Sequence, residues 1–456
     1  MPLVMGIDSS TQSSKIEVRD LDTGELVESA KSAHPITTPP RSEQDPEAWW
    51  RALAGAISQL GRREVAAISV GAQQHGMVAL DSRCEVIRPA KLWNDTESGP
   101  QAERLHELLG TEGWVKACGS TPVASLTITK LAWLKENEPE AYARLARIAL
   151  PHDWLTLQMT GEFVTDRGDA SGTGYWSPFT NRWAPELLAH IDESCEWLDR
   201  LPRVLGPGEV AGEITAKAAE ELGIAPGAIV AAGTGDNMAG ALGLGLKSGE
   251  AAISIGTSGT AYSISSEPVG DETGLVAGFA DATGAYLPLV CTLNATKVTD
   301  TFARILGVEP EWLGRMAVAT EQGAKGVTLT PYLDGERTPN LPHATGTLAG
   351  IRTDTTAEQF ARAAFEGVVN GLLNALAALD SAMGTPAERI ILTGGGSRSP
   401  AYQKIFAQLA GRPVHVAEGE EHVALGAAVQ AAAALSGEPV SSISGAWGLG
   451  RSTQVG

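Results

Sequence analysis

Short runs in which apolar and polar positions alternate take turns along this chain with longer runs of helical period, and the two kinds of run are separated by glycine-rich turns. The first run, Leu3-Val4-Met5-Gly6-Ile7, enters a polar tip at Asp8-Ser9-Ser10-Thr11-Gln12-Ser13-Ser14 and leaves as the alternating Lys15-Ile16-Glu17-Val18. That pattern predicts a hairpin, followed by a strand over 27–33. A Pro-rich connection over 35–46 ends in Asp45-Pro46-Glu47, an N-cap, an N1 proline and an acidic first turn, which predicts a helix over 48–60. A strand over 65–70 runs into Gly71-Ala72-Gln73-Gln74-His75-Gly76, and helices follow over 103–109, 129–137, 140–145 and 153–160.

The hairpin design returns far along the chain. Ala251-Ala252-Ile253-Ser254-Ile255 enters a tip at Gly256-Thr257-Ser258-Gly259-Thr260 and leaves as Ala261-Tyr262-Ser263-Ile264. Before it, a short apolar strand over 228–232 meets Gly233-Thr234-Gly235-Asp236. After it come helices over 237–243, 298–306 and 357–383. A strand over 389–392 then enters Thr393-Gly394-Gly395-Gly396-Ser397, with a helix over 400–410. Each half therefore mixes a hairpin with alternating strands and helices, the pattern of an α/β protein in two related halves. The expected domains are 1–227 and 228–456.

The bulk numbers fit this picture. At 456 residues the chain exceeds the size of a single core, and 43% hydrophobic with 19% charged residues is ordinary globular composition. A formal charge of -20 argues against nucleic acid or an anionic membrane as partner. The four cysteines form no C-x-x-C pair, and no apolar run approaches the length of a membrane span. The expected location is the cytoplasm.

Several familiar nucleotide and hydrolase signatures are missing: no Gly-Lys dipeptide for a lysine-bearing phosphate loop, no G-x-S-x-G, no H-E-x-x-H. The paired hairpins take their place. Hydroxyls and backbone N–H groups at a turn can cradle phosphate oxygens. Asp8 would repel phosphate, so its natural partner is Mg²⁺, unless it only closes the hairpin as an Asx-turn residue. Asp236 suits either a helix N-cap or a general base at a cleft. Gln74 and His75 can each donate and accept hydrogen bonds, which suits a polyhydroxylated ligand. Trp93-Asn94-Asp95 adds a stacking surface beside polar groups. Gly394-Gly395-Gly396 permits flat approach of a ring such as adenine, or forms a tight turn with positive φ.

Two long, spaced segments carry a family resemblance. One is Ser125-Leu126-Thr127-Ile128-Thr129-Lys130-Leu131-Ala132-Trp133-Leu134-Lys135-Glu136-Asn137. The other runs from Gly346 through Gly350-Ile351 and Gln359-Phe360 to Ala363-Ala364-Phe365-Glu366. Over essentially its whole length the chain resembles the FGGY carbohydrate kinases, most closely their xylulose kinase group. The resemblance implies two RNase H-like domains of the actin, hexokinase and Hsp70 type with an active-site cleft between them, which accounts for the repeated hairpin. It implies transfer of phosphoryl from MgATP to a sugar, D-xylulose giving D-xylulose 5-phosphate, with another ketose or polyol kinase, or a non-catalytic nucleotide or sugar sensor, as alternatives. By position, Asp8 resembles the Mg²⁺-associated acid, Thr11 and Lys15 the first phosphate loop, and Gly256 and Thr257 the second. Gly394, Gly395 and Gly396 resemble the adenosine loop and Asp236 the catalytic base. Gln74, His75, Asn94, Asp236 and Asn237 resemble the sugar-binding positions. Ser10 stands where many members have Gly, Gln74 where many xylulose kinases have Met, and Asn294 lies in the segment expected near adenine. The resemblance leaves a homodimer open.

Overall fold

A polar tip between two alternating strands does form a hairpin: in the computed structural model, Leu3–Ser9 pairs antiparallel with Ser13–Asp20, and Leu26–Ala33 extends the sheet. The structure describes residues 2–61, 64–341 and 343–456. Every residue of Leu3–Ser9 is buried, because helices cover the faces of a sheet whose other neighbour, Ala67–Ala72, runs parallel to it. Ile229–Ala231 and Thr234–Gly235 pair with that same strand, also in parallel. The helix Pro46–Ile57 begins as the sequence predicts, with Asp45 at the N-cap accepting from Glu47 N–H and proline in the first turn.

The second sheet repeats the scheme. Glu250–Ile255 pairs antiparallel with Gly259–Ser263 and parallel with Arg389–Thr393, which pairs with Val414–Ala417. The helix Ala357–Met383 occupies the predicted residues and carries a capping box at Thr356. Its apolar face, including Phe365, Val368 and Leu372, packs in one core with Ile253, Ile390 and Ile405.

The chain divides into two compact units. One comprises 1–245, 278–286 and 421–449; the other comprises 246–277, 287–420 and 450–456. The division does not follow the expected split at 228, and it places Asp236 in the first unit. Its physical reason is a helix that local pattern does not announce, His422–Ser436, which returns to the first sheet. This helix lies against Leu3–Ser9 and against the helix Asp236–Gly243 with almost no side chain between the backbones. A Cβ on Gly6 would lie 1.9 Å from Ala424 O; one on Gly243, 1.9 Å from His422 O; one on Gly426, 1.9 Å from Ala239 O. No single helix among the described residues is long and apolar enough to cross a membrane.

Candidate active site

The hairpin register sets Asp8 opposite Lys15, and the parallel register sets it beside Gly71. Asp8 is buried; the Ser10 hydroxyl donates to its carboxylate, and Lys15 Nζ lies 3.5 Å away. Burial raises its pKa, and Lys15 and Ser10 only partly oppose that. Lys15 is shared: its Nζ also lies 2.6 Å from Glu421, at the start of His422–Ser436. Burial alone would lower the Lys15 pKa, but Asp8 and Glu421 outweigh it and hold it above the ordinary value. Asp8 therefore does more than close a turn. It is a carboxylate held out of water with one shared cation.

Thr234 also pairs with Gly71, and Gly235 with Ala72, on the side of that strand opposite Asp8, and from there the chain begins the helix Asp236–Gly243. Gly235, not Asp236, occupies the N-cap position, and the Asp236 carboxylate interacts with the backbone N–H of Asn237 in the first turn. Asn237 Nδ2 donates to Asp236 Oδ1 (3.0 Å) and to Gln74 Oε1 (2.8 Å). The absent side chain at Gly235 makes room for Gln74, whose Cγ would lie 2.5 Å from a Cβ there. Burial, followed by the neighbouring charges of Asp8 and Asp169, pushes the Asp236 carboxyl up to about 8.

That shift has a measurable consequence. Unfolded, Asp236 titrates near its ordinary 3.8; folded, near 8, so between these values the folded state holds the extra proton. The stability from that proton is complete below about pH 4 and is lost as pH rises through about 8. Asp236→Asn should therefore raise the melting temperature of the free protein more at pH 8.5 than at pH 4.5. Equal shifts at the two pH values would contradict this electrostatic reading.

His75 follows Gln74 with a left-handed backbone (φ 65), its ring 5.5 Å from the Phe279 ring, and a Cβ on Gly172 would lie 2.4 Å from its Nδ1. Met77 N–H donates to Lys91 O (2.9 Å), which brings the turn after Lys91 beside the Gln74-His75 turn. In that turn Trp93 Nε1 donates to Thr11 Oγ1 (2.9 Å), so the indole fixes a residue of the first loop. Asn94 is half-buried, and its Oδ1 is buried with no hydrogen-bond partner. Fully buried Lys91 anchors the turn through Glu43 (3.2 Å), Asp95 (2.9 Å) and Glu97 (2.6 Å).

The first unit thus gathers Asp8, Thr11, Lys15, Gln74, His75, Asn94, Asp236 and Asn237 from the ends of neighbouring strands. Sequence reasoning did not include the charges packed beside them. His152 and Asp153 sit at the start of the helix Pro151–Thr160, and Asp169 lies in the helix Arg167–Ser171. Asp169 belongs to Asp169-Ala170-Ser171-Gly172-Thr173, a segment similar to the xylulose kinase group, but polarity at the buried positions of His152 and Asp153 is a signal that a single sequence does not reveal.

In the second unit the tip of the hairpin is tied to the next helix: Gly256 O accepts from Thr296 N–H (2.9 Å) and Thr257 O from Ala295 N–H (3.2 Å). Gly394, Gly395 and Gly396 follow a strand paired with Glu250–Ile255, Thr393 lying opposite Ser254. Only Gly394 of the three has positive φ (79°), and a Cβ on Gly396 would lie 2.5 Å from Ile255 Cγ2. The two loops are therefore side by side. Asn294 Nδ2 serves the neighbouring segment, donating to the Gly335 carbonyl (2.8 Å) and to the Glu336 carboxylate (2.9 Å).

The chain is similar to known proteins over nearly its whole length. The N-terminal domain of the FGGY family of carbohydrate kinases matches residues 3–243, and its C-terminal domain matches 251–435. A xylulose kinase of Streptomyces coelicolor is 51% identical over 98% of this chain and 91% of its own length; one of Streptomyces rubiginosus is 48% identical over the same shares. The crystal structure of a xylulose kinase from Bifidobacterium adolescentis is similar with a TM-score of 0.87 and 42% identity, covering 100% of this chain and 96% of that one. Two matched domains, near-complete coverage and a shared fold have one meaning: the chain belongs to the FGGY family of carbohydrate kinases.

Proposed function

We propose that this protein is an ATP-dependent kinase acting in the cytoplasm, transferring the γ-phosphoryl group of MgATP to the 5-hydroxyl of D-xylulose. The observation that carries the reading is that Asp8 and Asp236 flank the end of one central strand, Ala67–Ala72, near enough that Asp8 adds to burial in raising the Asp236 pKa, with Gln74 and Asn237 hydrogen-bonded beside Asp236. Relatives near 50% identity that are xylulose kinases support the choice of sugar.

Phosphoryl transfer asks a protein mainly for alignment and charge neutralisation. Asp236 accepts the proton of the attacking hydroxyl as the new P–O bond forms. A cation at Asp8 would offset the neighbouring charge that adds to burial in raising the Asp236 pKa, and so favour the ionised carboxylate that takes this proton. Gln74, His75, Asn94 and Asn237 hold the other hydroxyls, and the unpaired Asn94 Oδ1 is an acceptor ready for one. Thr11 and Lys15 face phosphate in the first loop, and Gly256 and Thr257 take phosphate through backbone groups in the second. Gly394, Gly395 and Gly396 take the nucleoside. A hard divalent cation fits Asp8, a buried carboxylate with one hydroxyl donor, Ser10, and a second carboxylate, Asp236, near enough to be influenced by its charge. Mg²⁺ held there by Asp8, directly or through water, would supply the positive charge that neutralises phosphate oxygens.

A steady-state assay of ADP release over pentuloses, hexonates and polyols, with and without Mg²⁺, tests this. D-Xylulose should give the highest kcat/KM, and chelation should abolish turnover. A different best substrate would reassign the sugar, and tight binding without turnover would make the protein a sensor.

A further inference from the structure

His152, Asp153 and Asp169 have no part in the transfer just described, yet all three are at most 1% exposed. Their geometry is specific. His152 Nδ1 lies 2.6 Å from Asp169 Oδ2, and Nε2 lies 3.3 Å from Asp153 Oδ1. The Nδ1 contact is a hydrogen bond, whereas Nε2 and Asp153 Oδ1 have no hydrogen-bond partner and meet as an ion pair, so the ring stands between two carboxylates that favour its charged form. Burial alone would lower its pKa, but Asp153 and Asp169 outweigh burial and push it up to about 10. A third carboxylate nearby, Asp166, has its own donors: Gly168 N–H (2.8 Å), Asp169 N–H (2.9 Å) and Thr234 Oγ1 (2.7 Å). The imidazolium is left to serve Asp153 and Asp169.

Asp169 connects this buried charge to the site. The Gln74 amide lies against its carboxylate. Because Gln74 Oε1 accepts from Asn237, the Nε2 end is the one available to Asp169. Asp169 Oδ1 and Gln74 Nε2 are both buried without a hydrogen-bond partner, an acceptor and a donor that complement each other. Asn237 in turn donates to Asp236 Oδ1. His152, Asp169, Gln74, Asn237 and Asp236 therefore stand in one line from the core to the reacting carboxylate, hydrogen-bonded at each step except that from Asp169 to Gln74, where an unpaired acceptor lies near an unpaired donor.

We infer that His152 is a positioning residue for the transfer: it anchors Asp169, which through Gln74 and Asn237 fixes the direction of the Asp236 carboxylate. The inference rests on the role given to Asp236 above. Misdirecting a reacting group by about 1 Å costs on the order of 10²-fold in rate.

The test compares His152→Phe, His152→Asn and Asp169→Asn with the unaltered protein. His152→Phe should lower kcat for D-xylulose about 100-fold while leaving KM for sugar and ATP within about threefold. His152→Asn keeps a donor near the Nδ1 position and should recover kcat to within about tenfold of the unaltered protein. If the Phe variant does not fold, Asp169→Asn decides, with a kcat loss of at least about tenfold at unchanged KM expected. A kcat within threefold in the deciding variant, or a loss confined to KM, would overturn the inference. So would one equivalent of tightly bound metal in the purified protein, since these three side chains are also spaced to hold an ion. A second readout does not depend on turnover. The side-chain amide NMR signals of Gln74 and Asn237 should move in His152→Asn, and unmoved signals would refute the line even if no sugar proved to be a substrate. Conversely, inactivity of the unaltered protein on every sugar, with those signals moving, would refute the function and leave the line intact.

Discussion

Asp236→Asn lowers kcat for sugar phosphorylation by roughly 10²–10⁴-fold while leaving sugar and nucleotide affinity nearly unchanged. The substitution is nearly isosteric and removes only the capacity to take a proton. Asp236 follows the capping residue Gly235, and its carboxylate is steadied by the side-chain amide and the backbone N–H of Asn237. One oxygen is steadied by Asn237, and the asparagine variant can keep that contact through its side-chain oxygen. The cost therefore falls on the chemical step. Steady-state kinetics with direct binding measurements check it. A kcat within tenfold of the unaltered protein would remove Asp236 from the role of base, and a loss of sugar affinity alone would make it a binding residue.

Gly426→Ala destabilises the protein by about 3 kcal/mol, the upper part of the usual range for overpacking. The added carbon would lie 1.9 Å from Ala239 O, a backbone atom that cannot swing away as a side-chain tip can. Either His422–Ser436 or Asp236–Gly243 must move, and the first also bears on the strand that carries Asp8 through Gly6. Activity should fall along with stability. Gly445→Ala, in the helix Val440–Ala446 with open space at its Cβ, is the control and should be neutral or slightly stabilising. Denaturant unfolding of both variants checks the claim. Equal stability for the two would mean that the close contact does not govern how these elements pack.

What the sequence makes legible follows from where the physics is local. The hairpin ending at Asp8 is readable because period-two alternation, polar tip and β-branched flanks coincide within twenty residues. The helices at Pro46–Ile57 and Ala357–Met383 are readable because cap residues and apolar stripe agree. His422–Ser436 is not. It is built of Ala, Gly and Val and is apolar nearly all round, so it shows no stripe, and its packing against Gly6 and Gly243 joins residues hundreds of positions apart. The division into units shares this blind spot. Asp8, Gln74 and Asp236 stand out because each ends a strand beside small residues. Glu421 does not, because its partner Lys15 is 406 residues away in the chain. His152 looks like any helical histidine until burial and two facing carboxylates give it a charge. Trp93, conspicuous in the sequence, acquires a definite task only when its indole is seen to hold Thr11.

The most direct test is a crystal structure of the protein with D-xylulose bound. The account predicts the 5-hydroxyl within about 2.6–3.2 Å of an Asp236 carboxylate oxygen, with the remaining hydroxyls on Gln74, His75, Asn94 and Asn237. A sugar bound away from these residues, or one presenting a different hydroxyl to Asp236, would contradict it.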